Sequence, residues 1–422
     1  MGVYRCDSNR SGRTASNVRL LSSDNVETLF YFLAFLQILL GVYLIWQALQ
    51  WLGYVRRRLH SDPGFYTPRV AVLCPCKGME PGLERNLLSL TEFERQNYEI
   101  FFILASASDP ARSIVERVAK SSRVKANVII VGNPANSGEK VNNLRVAVEQ
   151  LPQEFEVLVF TDSDGCPGRR WLHHLVSPLG DVRIGATTTM RWLLPNRSNL
   201  PTALLAAWNA PLVTMLSEKG RNFCWGGGTA IRRSTFDQSG VMDVWRNSVS
   251  DDYSLTRALE RTNRSIVFIP ECLTLSYAET DLQGLLEFTN RQILITRVYA
   301  GNVWGSAAAT HLLYCMTLLF GVILFLSDTF EQRPAFHIAT LTFLPVVLSS
   351  IRSAIRLVGV TEALPAARSQ IMGRAWIYIL LPVLVPFLYI VNFVNSLVTR
   401  KIRWRGLAYE LIAPEQTRII QY

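Results

Sequence analysis

The run LFYFLAFLQILLGVYLIWQALQWL, from Leu29 to Leu52, contains no charged side chain and limits what this chain can become more than any other stretch of it. About 20 apolar residues in a helix cross a hydrocarbon core of about 30 Å, and this run is long enough. A secretory signal would have a shorter apolar core, a small-residue cleavage site and a start nearer Met1, so the run reads as a retained anchor. Two further uncharged runs, Ser306 to Leu326 and Ala375 to Thr399, are also long enough to span. Between them Ala335 to Ile351 is barely long enough and leads straight into Arg352 and Arg356, which makes it the candidate for a segment that enters without crossing cleanly.

Charged residues are only 18 % of the 422, as expected of a chain with much of its length in a membrane. The net charge of +10 would suit nucleic acid, but the arginines sit beside the apolar runs: Arg56, Arg57 and Arg58, then Arg400, Lys401, Arg403 and Arg405. Their placement predicts headgroup contact, with the lipid bilayer as partner and no nucleic acid. Seven cysteines stand singly apart from Cys74 and Cys76, a spacing that fits neither a redox pair nor a zinc half-site. A reduced, cytosol-facing soluble part without structural metal follows.

That soluble part lies between the first anchor and the run at Ser306, and at roughly 250 residues it has the size of one α/β domain. Its first half alternates between apolar β-rich runs and helical periods: RVAVLCPCKG, GLERNLLSLTEF, YEIFFILASASDP, ARSIVERVAKS, ANVIIVG, GEKVNNLRVAVEQL, EVLVFTDSD. This spacing predicts a mainly parallel, doubly wound sheet that presents ligands at the carboxyl ends of its strands. LPTALLAAWNAPLVTML, Leu200 to Leu216, is apolar but too short to cross, and reads either as a core helix or as an interfacial one.

Asp162 and Asp164 end the last of these strands, where such a sheet opens its site. Two carboxylates so spaced can hold one hard divalent cation that keeps waters and reaches substrate phosphates; a solvated turn capping the next helix is the plainer alternative. A second acidic pair, Asp251 and Asp252, precedes a helical run. Ser250 or Asp251 suffices as its cap, which leaves a carboxylate for general-base work. The aromatic and triple-glycine stretch FCWGGGTAIRRSTF, with Trp225, Gly226 and Gly227, can form a tight turn and also a backbone surface against which a substrate lies.

Taken in order, Lys-Gly after the first strand, Asp-Pro after the second, Lys-x-Asn-Asn-Leu on a helix, Asp-Ser-Asp, a glycine-rich turn and Asp-Asp-Tyr resemble the family 2 and family 21 membrane glycosyltransferases, closest to the ceramide glucosyltransferase-like branch. The likeness extends to WRGLAY near the end of the chain. It implies a glycosyltransferase A-type nucleotide-sugar fold with a mixed, mainly parallel sheet plus transmembrane helices. Asp109 then matches the aspartate near the nucleotide, Asp162 and Asp164 the metal and diphosphate pair, and Asp252 the base. Lys77, Gly78, Lys140 and Asn143 match positions lining the donor site. The family's Gln/Arg-x-x-Arg-Trp element reads NRQILITRVY here: Arg291, Gln292 and Arg297 remain for its polar duties on the acceptor side, with Trp225, Gly226 and Gly227, but its tryptophan is absent.

The resemblance implies an inverting, metal-dependent hexosyltransferase that uses Mg²⁺ or Mn²⁺ and moves one sugar from a UDP-linked donor to the hydroxyl of a membrane lipid such as ceramide. A processive polysaccharide synthase and a catalytically silent scaffold of the same fold are the alternatives. The expected organisation is a tail over residues 1–28, an anchor over 29–52, a cytosolic catalytic domain over 56–304, membrane helices over 305–399 and a basic tail over 400–422. Sugar nucleotides are cytosolic, which sets Met1 outside, although Arg13 and Arg19 run against the charge rule there.

Overall fold

A computed structural model describes residues 23–95, 97–218, 221–330 and 335–420. The N-terminal tail through residue 22, including Arg13 and Arg19, lies outside the described residues.

Helix α1 (Ser23–Leu59) carries the first apolar run and ends in Arg56, Arg57 and Arg58. The α/β domain follows as β1 (Val70–Pro75), α2 (Leu83–Leu90), β2 (Tyr98–Leu104), α3 (Arg112–Ser121), β3 (Ala126–Ile130), α4 (Glu139–Gln150) and β4 (Val157–Thr161). These match the alternation read from the sequence. The second half holds α5 (Trp171–Val176), β5 (Ile184–Thr188), β6 (Arg191–Pro195), α6 (Leu200–Asn209), β7 (Gly228–Arg232), α7 (Arg233–Gln238), α8 (Val241–Trp245), α9 (Asp251–Arg261), β8 (Ser265–Phe268), β9 (Thr274–Ala278) and α10 (Leu282–Tyr299).

Seven strands form one sheet in the order β3-β2-β1-β4-β7-β5-β8, in which only β7 runs against the rest. The sheet is mixed and mainly parallel, as expected. Alternate residues of β1 feed two cores: Val70, Val72 and Cys74 pack on one face, Ala71 and Leu73 on the other. A strand covered on both sides has no polar face, which is why the strands are continuous apolar runs.

Among the described residues, helices α11 (Gly301–Phe330) and α12 (Phe336–Ala363) join α1 as the three helices long and apolar enough to cross a membrane. The sequence points to the arginine-interrupted run as the one that fails to cross cleanly, and here the structure differs. α12 continues unbroken through Arg352 and Arg356, whereas the run from Ala375 divides into α14 (Ala375–Ile379) and α15 (Val385–Val398), after the short α13 (Arg368–Met372), with a bend of 61°. Pro382 and Pro386 lie at the break, and each lacks the N–H that a continuous helix needs. Arginines on an inward-facing helical stripe remove no backbone bond.

A third core joins the end of α1 (Trp51, Leu52, Tyr54, Val55) to β6, α6, α10, α12 and α15, so the α/β domain is seated directly on the membrane helices. Within it Ala203, Ala206, Ala207 and Trp208 of α6 are buried, which answers the question left by its length: it is a core helix of this junction. The hydroxyl of Tyr54 donates to the Phe268 carbonyl at 2.5 Å, that of Tyr378 to the Leu193 carbonyl at 2.7 Å, and Arg56 pairs with Glu362 at 2.8 Å.

Residues 401–420, expected from their charge to be a basic tail, form an antiparallel sheet of β10 (Lys401–Trp404), β11 (Leu407–Ala413) and β12 (Gln416–Ile420). Alternation brings Ile402, Tyr409 and Leu411 inward against Val249, Leu294, Ile295 and Tyr299. Through these contacts the end of the chain returns to the α/β domain.

Candidate active site

The strand order turns back on itself between β1 and β4, and the crevice outside their carboxyl ends is where open α/β sheets bind ligands. Lys77 and Gly78 follow β1, with Gly78 at φ +66° in a region that favours glycine. Asp162 and Asp164 follow β4. A cavity of about 1480 Å³ opens here, lined by Lys77, Lys140, Asn143, Asp162, Asp164 and Asp252. It continues past Trp225, Gly226, Arg291 and Gln292 to side chains of the membrane helices, among them Gln47 of α1, His311 of α11, Arg352 of α12 and Tyr389 of α15.

Lys140 is the electrostatic centre. Its ammonium lies 2.7 Å from Asp162 Oδ1, 3.1 Å from Asp251 Oδ2 and 3.2 Å from the Gly226 carbonyl, so its three donors have three acceptors. Burial works against its charge, but the two carboxylates hold it above the usual lysine range. Asp162 is likewise penalised by burial, yet Lys140 keeps its carboxyl below the ordinary value. For Asp251 burial prevails and pushes the carboxyl up to about 6.

The sign of the resulting pH effect follows. Between the ordinary aspartate value of about 4 and 6, folded Asp251 binds more protons than the unfolded chain, so its ionisation removes stability as pH rises. Asp162 contributes oppositely, stabilising once the unfolded carboxyl has ionised. Asp251→Asn keeps an acceptor for Lys140 without the buried charge. Its melting temperature is expected to rise relative to wild type from pH 4 to pH 7, by on the order of 2 kcal/mol of stability; thermal scans across that range check it, and parallel curves would refute it.

The second acidic pair divides as the sequence allows. Ser250 is the N-cap, accepting from the Tyr253 N–H at 3.2 Å, so neither aspartate is needed for that task. Asp251 turns inward to Lys140 and Asp252 lines the cavity. Asp252 Oδ1 accepts from Ser250 Oγ and, at 2.8 Å, from the Tyr253 N–H.

Asp164 Oδ2 accepts from Arg191 at 2.7 Å, while its Oδ1 is buried with no hydrogen-bond partner. An orphaned carboxylate oxygen two residues from Asp162 is the donor type a hard divalent ion takes, so the pair fits Mg²⁺ or Mn²⁺. Among the described residues no three His, Cys, Asp or Glu side chains are arranged so that they alone could hold a metal ion. An ion here would complete its shell with water and phosphate oxygens, as magnesium commonly does.

Other expected residues are placed differently. Asp109 does not line the cavity: its Oδ1 accepts from the N–H groups of Gly78 (2.9 Å) and Ala111 (2.8 Å), which holds the turn after β1. Lys77 pairs with Glu139 at 2.7 Å. Gly78 and Gly227 also lie outside the lining, and Arg297 donates to the Ser396 carbonyl, which fastens α10 to α15. A single residue along a helix moves a side chain by about 100°, so an element read from spacing need not keep all its members on one face.

Sequence reasoning passed over Arg191 and Glu80, and gave Arg405 to the lipid headgroups, where the structure instead brings it to the cavity. Arg405 pairs with Glu80 and donates to the Lys77 carbonyl at 3.1 Å, and Glu80 accepts from Ser163 between the two aspartates at 2.8 Å. The C-terminal sheet therefore reaches the end of the cavity at β1 and β4. WRGLAY was the signal that could have found Arg405; nothing in the sequence marks Arg191.

The glycine-rich turn has a measurable reason. A Cβ on Gly226 would collide with Asp251 Oδ2 and stand 2.6 Å from Lys140 Nζ, and one on Gly227 would stand 2.6 Å from Asp162 Oδ2. Gly226→Ala is expected to push Lys140 off its carboxylates and to cost about 1–3 kcal/mol of stability, the worth of a charge-assisted bond; thermal unfolding checks it.

A mainly parallel α/β sheet with this acidic crevice, seated on membrane helices, is the architecture of a membrane glycosyltransferase. The chain belongs to glycosyl transferase family 21, whose pattern it matches over residues 29–417. It is 23% identical over 213 residues to ceramide glucosyltransferase 1 of Caenorhabditis elegans, a match that takes in 48% of this chain and 44% of that protein. The chain thus spans less than half the length of that relative. Among solved structures it is similar to a mannosyltransferase from Pyrobaculum calidifontis in complex with GDP-Man and Mn²⁺ (17% identity, TM-score 0.46, 88% of this chain and 98% of that one). It is also similar to glucosyl-3-phosphoglycerate synthase from Mycobacterium tuberculosis in complex with Mn²⁺, UDP-glucose and glycerol 3-phosphate (16% identity, TM-score 0.35, 57% and 87%).

Proposed function

We propose that the protein transfers one sugar from a UDP-linked donor to the hydroxyl of a membrane lipid, on the cytosolic face and with inversion at the anomeric carbon. The observation that carries this reading is the continuous cavity, with carboxylates at one end and membrane helices along the other. A soluble acceptor needs no such path, whereas a lipid hydroxyl at headgroup level does. The name of the nematode relative makes ceramide and glucose the first acceptor and sugar to try.

In this reading the donor's diphosphate lies at the ends of β1 and β4, where Arg191, Arg405 and Lys77 supply positive charge. Asp252 takes the proton of the acceptor hydroxyl as that oxygen attacks the anomeric carbon. The Ser250 hydroxyl and the Tyr253 N–H, both on Oδ1, orient the carboxylate and leave Oδ2 outside that pair of bonds. Asp162 and Asp164 are the residues that would hold Mg²⁺ or Mn²⁺, which when bound supplies charge to neutralise the departing diphosphate.

Membranes containing the protein, incubated with labelled sugar nucleotides and Mn²⁺, are expected to yield a lipid carrying one sugar, identified by mass spectrometry. A labelled polymer would replace this reading by a processive synthase. No turnover of any sugar nucleotide would mean a silent member of the family.

A further inference from the structure

The membrane end of the cavity carries charge that the transfer chemistry does not use. Arg352 and Arg356 sit about one turn apart on α12. α12 runs beside α1 in the same direction: Leu348 meets Gly41, Gly359 meets Trp51 and Leu52, and Glu362 meets Arg56. Arg352 therefore lies level with the apolar run of α1, about 16 Å of helix short of Ala363.

Arg352 lines the cavity, and its Nε is buried without a hydrogen-bond partner. Arg356 is fully buried. Its Nη2 donates to Ser353 Oγ at 2.9 Å, while Nε and Nη1 have no partner. Among the described residues neither arginine meets a carboxylate. His311 lines the same end of the cavity, its ring stacked on Tyr389 with centroids 4.1 Å apart and planes within 9°.

Two guanidiniums a turn apart, desolvated and without a counter-charge, repel each other and are costly to keep. Ionisable groups at membrane depth face cavities and find partners there. The planar guanidinium fork fits paired carboxylate or phosphate oxygens. We propose that this end of the cavity binds the anionic group of a membrane lipid, a carboxylate or phosphate held by Arg352, with Arg356 adding charge behind it and His311 a further donor. The proposal rests on the reading of the cavity as the acceptor's path, and it turns the choice of acceptor from neutral ceramide, which only the relative's name suggests, to lipids with an acidic group.

The test uses the full chain in phosphatidylcholine nanodiscs, titrated with dihexanoyl phosphatidic acid, oleate, dihexanoyl phosphatidylcholine or inorganic phosphate while the melting temperature is followed. A saturable rise is expected with at least one acidic lipid and not with the phosphatidylcholine or inorganic phosphate. Arg352→Gln is expected to weaken it by about tenfold or more, the worth of a charge-assisted pair, and Arg356→Gln to weaken it less. Arg246→Gln, which removes a surface charge paired with Asp243 on the α/β domain, should leave it unchanged. An equal rise with inorganic phosphate, an equal rise in Arg352→Gln, or no rise with either acidic lipid overturns the proposal. Should Arg352→Gln not fold, Arg356→Gln and the probe series decide alone. Sugar transfer to a neutral lipid without acidic-lipid binding would sink this inference and leave the proposed transferase intact; absence of all transfer would sink the latter.

Discussion

Asp252→Asn is expected to lower sugar transfer by about 10²–10⁴-fold, the usual contribution of a positioned general base, without loss of donor binding. The substitution is a clean one because of what surrounds it. An asparagine oxygen can still accept from the Ser250 hydroxyl and the Tyr253 N–H, the two bonds that orient Asp252 at the start of α9. What disappears is basicity. The melting temperature should therefore stay near that of wild type while the rate falls, and nucleotide affinity, measured by titration calorimetry, should hold. Unaltered transfer in vesicles would show that another group takes the proton.

Replacing Lys140 acts on stability first. Lys140→Met leaves Asp162 and Asp251 buried without their shared counter-charge and the Gly226 carbonyl without its donor. Removing one partner of a buried ionic set costs about 3–5 kcal/mol, so thermal unfolding in detergent is expected many degrees lower. Adding Asp251→Asn to Lys140→Met takes away one of the stranded charges and should return more stability than Asp251→Asn adds to the wild type, because the two residues touch and their effects are coupled. If the double variant is as unstable as the sum of the single ones, the Asp-Lys-Asp bridge is not the unit described here.

The motifs of the candidate site were legible because each belongs to a local event. Lys77–Gly78 and Asp162–Asp164 stand at strand ends, and Asp251–Asp252 at a helix start behind its cap Ser250. A strand covered on both faces announces itself as an apolar run, and the residue that ends the run is at the site. Partners were not legible. Arg191 reaches Asp164 from the first residue of β6, and Arg405 reaches Lys77 and Glu80 across more than 300 positions of the chain. The expected acceptor arginine at 297 turned to α15, while Arg291 stayed in the cavity, because α10 is gripped on several sides at once.

By itself, the sequence determined which segments leave water and which alternate between strand and helix, since uncharged length and hydrophobic period act within a few residues of one another. Tertiary structure decided which cation neutralises each carboxylate, that the last apolar run breaks at its prolines, and that the acidic crevice opens onto the membrane helices. These depend on distances between segments far apart in the chain, and those distances are set only when the sheet, α10 and the membrane helices pack together.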